Sequence, residues 1–261
     1  MDSFKGKYAL ITGASSGIGY EFVKLFAEDG SNLIIISRNE ERLLDIKREI
    51  ENEHKVNVLV LAKDLSKREA PKEICNQLEN ENIPVDILVN NAGVGYHGNF
   101  SDTDLERQLK MIQLNVLSFV HLTGLLLPSM IKKGYGNILN VASMAGFHGI
   151  PLHSIYSAAK AFVLTFSESI AYELKGTGIT VTCLCPGLTN TNFFKSADMK
   201  NARLLRFGLM GADKVAKIGF DALKNNKTTV IPGLRNKFVI FLERLSPRKI
   251  ITRISKTLHE K

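Results

Sequence analysis

The run "YALITGASSGIGYEFVKLF", Tyr8–Phe26, decides the fold. A short apolar stretch over 8–12 has the character of a strand, and a helical pattern starts near Gly17. Between them Gly13, Gly17 and Gly19 are spaced G-x-x-x-G-x-G. Glycine at such a junction permits a tight turn, close approach of backbone to a ligand, and close packing of helix on strand. The helix that follows aims its free N–H groups and the positive end of its dipole at the turn. Strand, glycine turn and helix together make a phosphate cradle from Gly13, Ser15, Ser16, Gly17, Ile18 and Gly19, with a ligand-free glycine turn as the plainer alternative.

The same alternation continues along the chain. Further strands are expected at 32–37, 56–62, 85–90, 136–143, 179–185 and 227–232, with helices near 17–29, 39–53, 67–81, 103–132, 155–175 and 212–224. The strands are near-continuous in Ile, Leu and Val, as strands covered on both faces are. Repeated β-α-β units imply an α/β fold: a doubly wound parallel sheet of about seven strands with helices on both faces. Length (261 residues), 44% hydrophobic and 23% charged content suit one such domain over 1–234. Residues 1–7 hold no apolar run, so no secretory signal is expected, and no stretch reaches the roughly 18 uninterrupted apolar residues of a membrane span. Cys75, Cys183 and Cys185 have no disulfide-framework spacing; Cys183 and Cys185 read as same-face residues of a buried strand, which fits a reduced, cytoplasmic setting and no metal.

In doubly wound sheets ligands sit beyond the carboxyl ends of the strands. After the second strand stand Ser37 and Arg38, where an NAD site would offer a carboxylate to the ribose hydroxyls. An arginine forks onto a 2′-phosphate, so the cofactor expected is NADP(H); the alternative is that Arg38 pairs only with Glu40 or Glu41. Asp64 and Leu65 follow the third strand, where Asp64 could also be a helix N-cap. Asn90, Asn91, Ala92 and Gly93 follow the fourth; small residues let backbone lie against a cofactor, and the amides tie neighbouring strands. Ser143 closes the fifth. Tyr156 and Lys160 in "YSAAK" share one helix face at i, i+4, and "CPGLTNT" follows the sixth strand.

These motifs, TGASSGIG, NNAG, Ser143 and YSAAK, fall in the order and spacing of the short-chain dehydrogenase/reductase family, which the chain resembles over roughly residues 5–232. The resemblance implies a Rossmann-type sheet, a carbonyl or alcohol substrate, and a homodimer or homotetramer formed through the helices near 103–132 and 155–175. It also implies residue roles. Asp64 would bond the adenine ring, Lys160 the nicotinamide ribose, and Asn115 a water in a proton relay behind Lys160. Pro186 and Gly187 match the family's P-G pair, with Thr189 and Thr191 beside the nicotinamide carboxamide or pyrophosphate. One departure is Ser16, where many NADP-preferring relatives carry a second basic residue.

The chemistry explains the residue types. Carbonyl reduction needs a hydride on carbon and a proton on oxygen. A free tyrosine has a pKa of about 10, and a nearby ammonium lowers it. Tyr156 is therefore the expected acid, Lys160 its tuner, and Ser143 the group that holds the substrate oxygen. The reading is an NADPH-dependent carbonyl reductase; the alternative is a non-catalytic NADP(H)-binding sensor, against which the retained Tyr156 and Lys160 speak.

Two segments stay open. A substrate lid over 192–211 offers Phe193, Phe194, Met199, Leu204, Leu205, Phe207, Leu209 and Met210, which suits an apolar substrate or plain packing. His97, His148 and His153 are expected near the pocket mouth in structural or substrate-contacting roles. The tail, 235–261, holds eight basic and two acidic residues and so carries six of the net +8 charges. Phe238, Phe241, Leu242 and Leu245 form a helical stripe; beyond Pro247, Ile250, Ile254 and Leu258 form a second. Packing on the body or on a second subunit is the favoured reading, with peripheral membrane contact the other. Nucleic-acid binding is not expected, since the basic residues lack interleaved tyrosines and any recognised motif.

Overall fold

In the computed structural model, which describes residues 4–193, 197 and 208–260, seven parallel strands form one sheet. They are β1 (Tyr8–Thr12), β2 (Asn32–Ser37), β3 (Val58–Ala62), β4 (Ile87–Asn90), β5 (Gly136–Val141), β6 (Ile179–Leu184) and β9 (Thr229–Val230), in the order β3-β2-β1-β4-β5-β6-β9. Burial on both faces explains the continuous apolar runs. Ile11, Leu33 and Ile35 face Phe22, Phe26 and Phe220 on one side, while Leu10, Ile34 and Ile36 join Ile74, Leu122 and Ile170 on the other. The first layer is carried by α1 (Gly17–Glu28), α2 (Glu40–Glu53) and α7 (Ala212–Lys224); the second by α3 (Ala70–Asn80), α5 (Ser118–Lys133) and α6 (Ser154–Glu173).

The strand order reverses between β1 and β4, and that crevice is where a doubly wound sheet takes its ligand. A buried polar chain sets the strands there. The Asn90 amide donates to Thr123 and to Asn140, and the Asn140 amide donates to Ser167.

Three features differ from the sequence expectation. The helix expected at 103–132 is α4 (Leu105–Ile112), a π turn (Gln113–Leu117) and α5, because the Ser118 N–H bonds back to Gln113. By length and composition the run Leu105–Lys133 could cross a membrane, but Met111, Phe119, Leu122, Leu126 and Met130 are buried in the core. A second, two-stranded sheet pairs β7 (Thr189–Asn190) with β8 (Met210–Gly211) and anchors the two ends of the lid. Asp64 is not a helix N-cap: Glu69 precedes α3, and Asp64 instead accepts from the N–H and hydroxyl of Ser66. Of the lid residues, Phe194, Met199, Leu204, Leu205 and Phe207 lie outside the described residues.

The tail is two helices, α8 (Leu234–Leu245) and α9 (Arg248–His259), separated at Pro247. They lie against the crevice, held in part by polar contacts. His148 reaches Glu243 at 3.0 Å and Ser255 at 3.3 Å, and His97 Nε2 meets the His259 carbonyl at 2.8 Å.

Candidate active site

The glycine turn is built for close approach. Gly13 and Gly17 have φ of +66° and +56°, and a side chain on Gly19 would meet the Gly13 carbonyl at 2.2 Å. Thr12 ties this turn to the end of β4: its hydroxyl donates to the Val89 carbonyl and accepts from the N–H groups of Asn91 and Ala92. The Asn91 amide returns to the carbonyls of Thr12 and Gly13. Ser16 precedes α1 in extended conformation without a side-chain cap, and the first turn of α1 holds no acid. Its N–H groups therefore face the crevice without a competing carboxylate, and the donor set fits the pyrophosphate of a dinucleotide.

A cavity of about 1760 Å3 runs from this turn across the sheet end to α8 and α9. It gathers Ser37, Arg38, Asp64 and Leu65 at one end, and Ser143, Tyr156, Lys160, Pro186, Gly187, Thr189 and Thr191 along the middle. Asn91, Ala92 and Gly93 form its floor; Gly19 and Asn115 are expected site residues that do not line it. Arg38 is exposed to the cavity and makes no ion pair among the described residues, while Arg42 sits over the Tyr20 ring at 5.1 Å. At Asp64 burial works to raise the pKa, but the Ser66 hydrogen bonds and the Arg38 and Lys67 charges outweigh it, holding the carboxyl below its usual range.

Asn115 is positioned by the π turn. Its amide oxygen accepts from the Val94 N–H at 3.0 Å and its nitrogen donates to the Val94 carbonyl at 2.8 Å. It is 2% exposed and clamps the backbone just after NNAG, with Lys160 close behind Gly93. These contacts make Asn115 a support for the cavity floor rather than a group facing open cavity.

Ser143 stands two residues beyond β5 and caps a short 3-10 turn (Met144–Gly146), accepting from the Ala145 N–H at 3.1 Å. Its hydroxyl has a long contact to the Pro186 carbonyl at 3.5 Å and also lies beside the Tyr156 phenol, so it faces the place where a substrate oxygen would sit. Tyr156 and Lys160 lie on the first two turns of α6. Lys160 donates to the Val141 carbonyl at 2.7 Å, and its ammonium is 5.9 Å from the centre of the Tyr156 ring. Burial pulls Lys160 down to about 8 and pushes Tyr156 up to about 12, the nearby Ser143 hydroxyl opposing the latter rise. Among the chain's own groups, burial of the phenol outweighs what lowers its pKa. The ammonium gives one of its three N–H bonds to Val141.

The wall opposite the glycine turn combines expected residues with two, Val239 and Ile251, that sequence patterns did not single out. Val239 and Ile251 line it beside Leu258, on the tail helices. Phe193 packs on Tyr156 with ring centres 5.3 Å apart, and it fills the space above Gly95. His153 is 4% exposed, with ring centres 5.1 Å from His97, 5.3 Å from His259 and 6.2 Å from Tyr156. Neither of its ring nitrogens makes a hydrogen bond of ordinary geometry; burial, then the His259 and His97 rings, pull its pKa to about 3 against a weak pull from the Tyr96 backbone. Such long-range pairings leave no local pattern in the sequence.

A glycine-cradled crevice with Ser, Tyr and Lys at the ends of β5 and the start of α6 defines a dinucleotide-dependent oxidoreductase. The chain belongs to the short-chain dehydrogenase family, whose sequence model matches residues 7–202. A ketoacyl reductase from Nostoc is 30% identical over 231 residues, 88% of this chain and 80% of that protein. A very-long-chain 3-oxoacyl-CoA reductase from Anas platyrhynchos is 36% identical over 196 residues, 73% of this chain and 62% of that protein. The structure of a short-chain dehydrogenase from Sphingobium yanoikuyae in complex with NADPH superposes with a TM-score of 0.82 at 29% identity, over 91% of this chain and 94% of that one.

Proposed function

We propose that the protein reduces an apolar ketone or aldehyde to the alcohol with NADPH, Tyr156 acting as the general acid. The observation that carries this is the convergence of Ser143, Tyr156 and Lys160 on one cavity whose far wall is apolar. When bound, the cofactor supplies the hydride. Arg38, exposed at the adenosine end with no carboxylate at Ser37 or itself, suits a 2′-phosphate. Lys160 has two N–H bonds left after Val141 and is placed to hold ribose hydroxyls. Ser143 donates to the substrate oxygen and stabilises the charge that develops there. Tyr156 delivers its proton to the same oxygen. Phe193, at the root of the lid, covers the phenol and limits water.

Exposed apolar residues at the end of the π turn (Leu117), on α5 (Leu125) and on α6 (Phe162) support a homodimer or homotetramer through these helices. Three buried free cysteines suit a cytoplasmic setting.

NADPH oxidation across a panel of apolar ketones, aldehydes and diketones tests the reading, with NADH in parallel and Tyr156→Phe as control. Turnover with NADPH that Tyr156→Phe lowers by about 10²–10⁴ is expected. Tight NADPH binding with no turnover of any compound would favour a sensor instead.

A further inference from the structure

We propose that α8 docks the protein on an anionic membrane surface and turns the mouth of the cavity toward the bilayer. The stripe on α8 is not buried against the body. Leu234, Phe238, Phe241, Leu242 and Leu245 are 84%, 60%, 57%, 45% and 70% exposed. At roughly 100° per residue they fall within one arc of about 100°. Arg235 lies at one edge of that arc, and Lys237 and Arg244 lie at the other. An apolar face bordered by long basic side chains is the pattern of a helix lying in a membrane interface, where the stems stay with the acyl boundary and the charged heads reach phosphate. The inner side of α8 is already satisfied: Ile240 is 3% exposed and Glu243 is paired with His148.

Charge chooses the occupant. From Arg235 onward there are eight basic residues and two acidic ones. Glu243 is turned inward, and Glu260 lies at the far end of α9. A second copy of this chain, paired face to face about a two-fold axis, would set this positive edge against itself. An anionic bilayer offers the opposite charge and an apolar depth of about 5–10 Å for the phenylalanines. Leu242, Ile250 and Ile254 are both exposed and part of the cavity lining, so a docked α8 places the cavity mouth at the acyl boundary.

Vesicle co-sedimentation of the full chain tests this directly, independently of any turnover. Vesicles of phosphatidylcholine alone are compared with phosphatidylcholine mixed with phosphatidylserine. Binding is expected to the mixed vesicles and to weaken as salt rises. The combined variant Phe238→Ser, Phe241→Ser, Leu245→Ser is expected to lose more than about tenfold in partition coefficient. Lys237→Gln and Arg244→Gln should each lose about fivefold. None of these five lines the cavity, and the circular dichroism spectrum and Tm report whether each variant folds. The proposal is overturned if the parent stays in the supernatant with mixed vesicles at low salt, or if the triple variant binds as well as the parent. It is equally overturned if the triple variant falls to a smaller species in sedimentation velocity while its vesicle partition is unchanged, which would make the stripe a contact between copies.

Discussion

The ammonium of Lys160 bonds to the Val141 carbonyl at 2.7 Å, while the Tyr156 ring one helical turn away stands 5.9 Å from it. Desolvation moves these two groups apart, pulling buried Lys160 down to about 8 and pushing half-buried Tyr156 up to about 12. Below about pH 8 the lysine is charged and the phenol protonated, the pair that the proposed reduction needs; above it the ammonium is lost first. The kcat/KM for NADPH, which reports the free protein, is expected to be level below about pH 8 and to fall about tenfold per unit above it. Lys160→Met should be slower by about 10²–10⁴ and lack that limb. A limb that persists in the variant would assign it elsewhere.

Arg38 is exposed at the end of the cavity lined by Ser37, Asp64 and Leu65, with no ion pair among the described residues. If Arg38 holds a 2′-phosphate as proposed, Arg38→Asp exchanges that clamp for a carboxylate that suits ribose hydroxyls. Steady-state kinetics should show NADPH efficiency falling roughly tenfold to a hundredfold while NADH improves. A parent protein that prefers NADH would remove the role given to Arg38.

Gly19 has no room for a methyl group, since a Cβ would lie 2.2 Å from the Gly13 carbonyl and 2.5 Å from the Asn91 amide. Gly19→Ala is expected to cost about 1–3 kcal/mol and lower the Tm by several degrees. Gly124→Ala, on α5 with nothing within 4 Å of the added atom, should instead raise it slightly. Thermal unfolding of the two, read side by side, checks that the turn and not glycine in general is constrained.

His153 is buried and neutral, with its pKa pulled from about 6.5 to about 3, largely by desolvation. The unfolded chain binds this proton as pH falls below about 6.5, and the folded chain does not until about 3. Stability from this group is therefore present above about 6.5 and lost progressively toward 3, by about 2 kcal/mol at pH 5. His153→Phe removes that term and leaves no unpaired ring nitrogen. Its Tm should fall less between pH 7 and pH 5 than the parent's; equal falls would place the acid sensitivity in other groups.

Much of this was readable in advance because burial on both sheet faces writes itself into the chain. The Ile and Leu runs of β1 and β2 and the TGASSGIG turn locate the crevice before any contact is known. The rest depended on partners far along the chain. The π turn at Gln113–Leu117 has the residue types of an ordinary helix and is visible only through the Ser118 hydrogen bond. β7 and β8 are two residues each, too short for periodicity. On α8 the apolar stripe that sequence finds first, Phe238 to Leu245, faces outward, while Val239 and Ile240 face in. Amphipathic spacing identifies a face without saying what it meets.

The π turn also fixes a length. One extra residue is taken up where Asn115 grips Val94. Deleting a single residue between 113 and 117 would close this turn to an ordinary helical one and leave Phe119, Leu122 and Leu126 facing the core, because five residues at the wider π spacing turn about as far as four in an α-helix. The clamp of Asn115 on Val94 would lose the bulge that presents it. The same deletion in α4 or α5 would instead turn everything after it by about 100°. The helix can thus lose a residue at this one place without moving the sheet packing, and there the loss falls on the cavity floor.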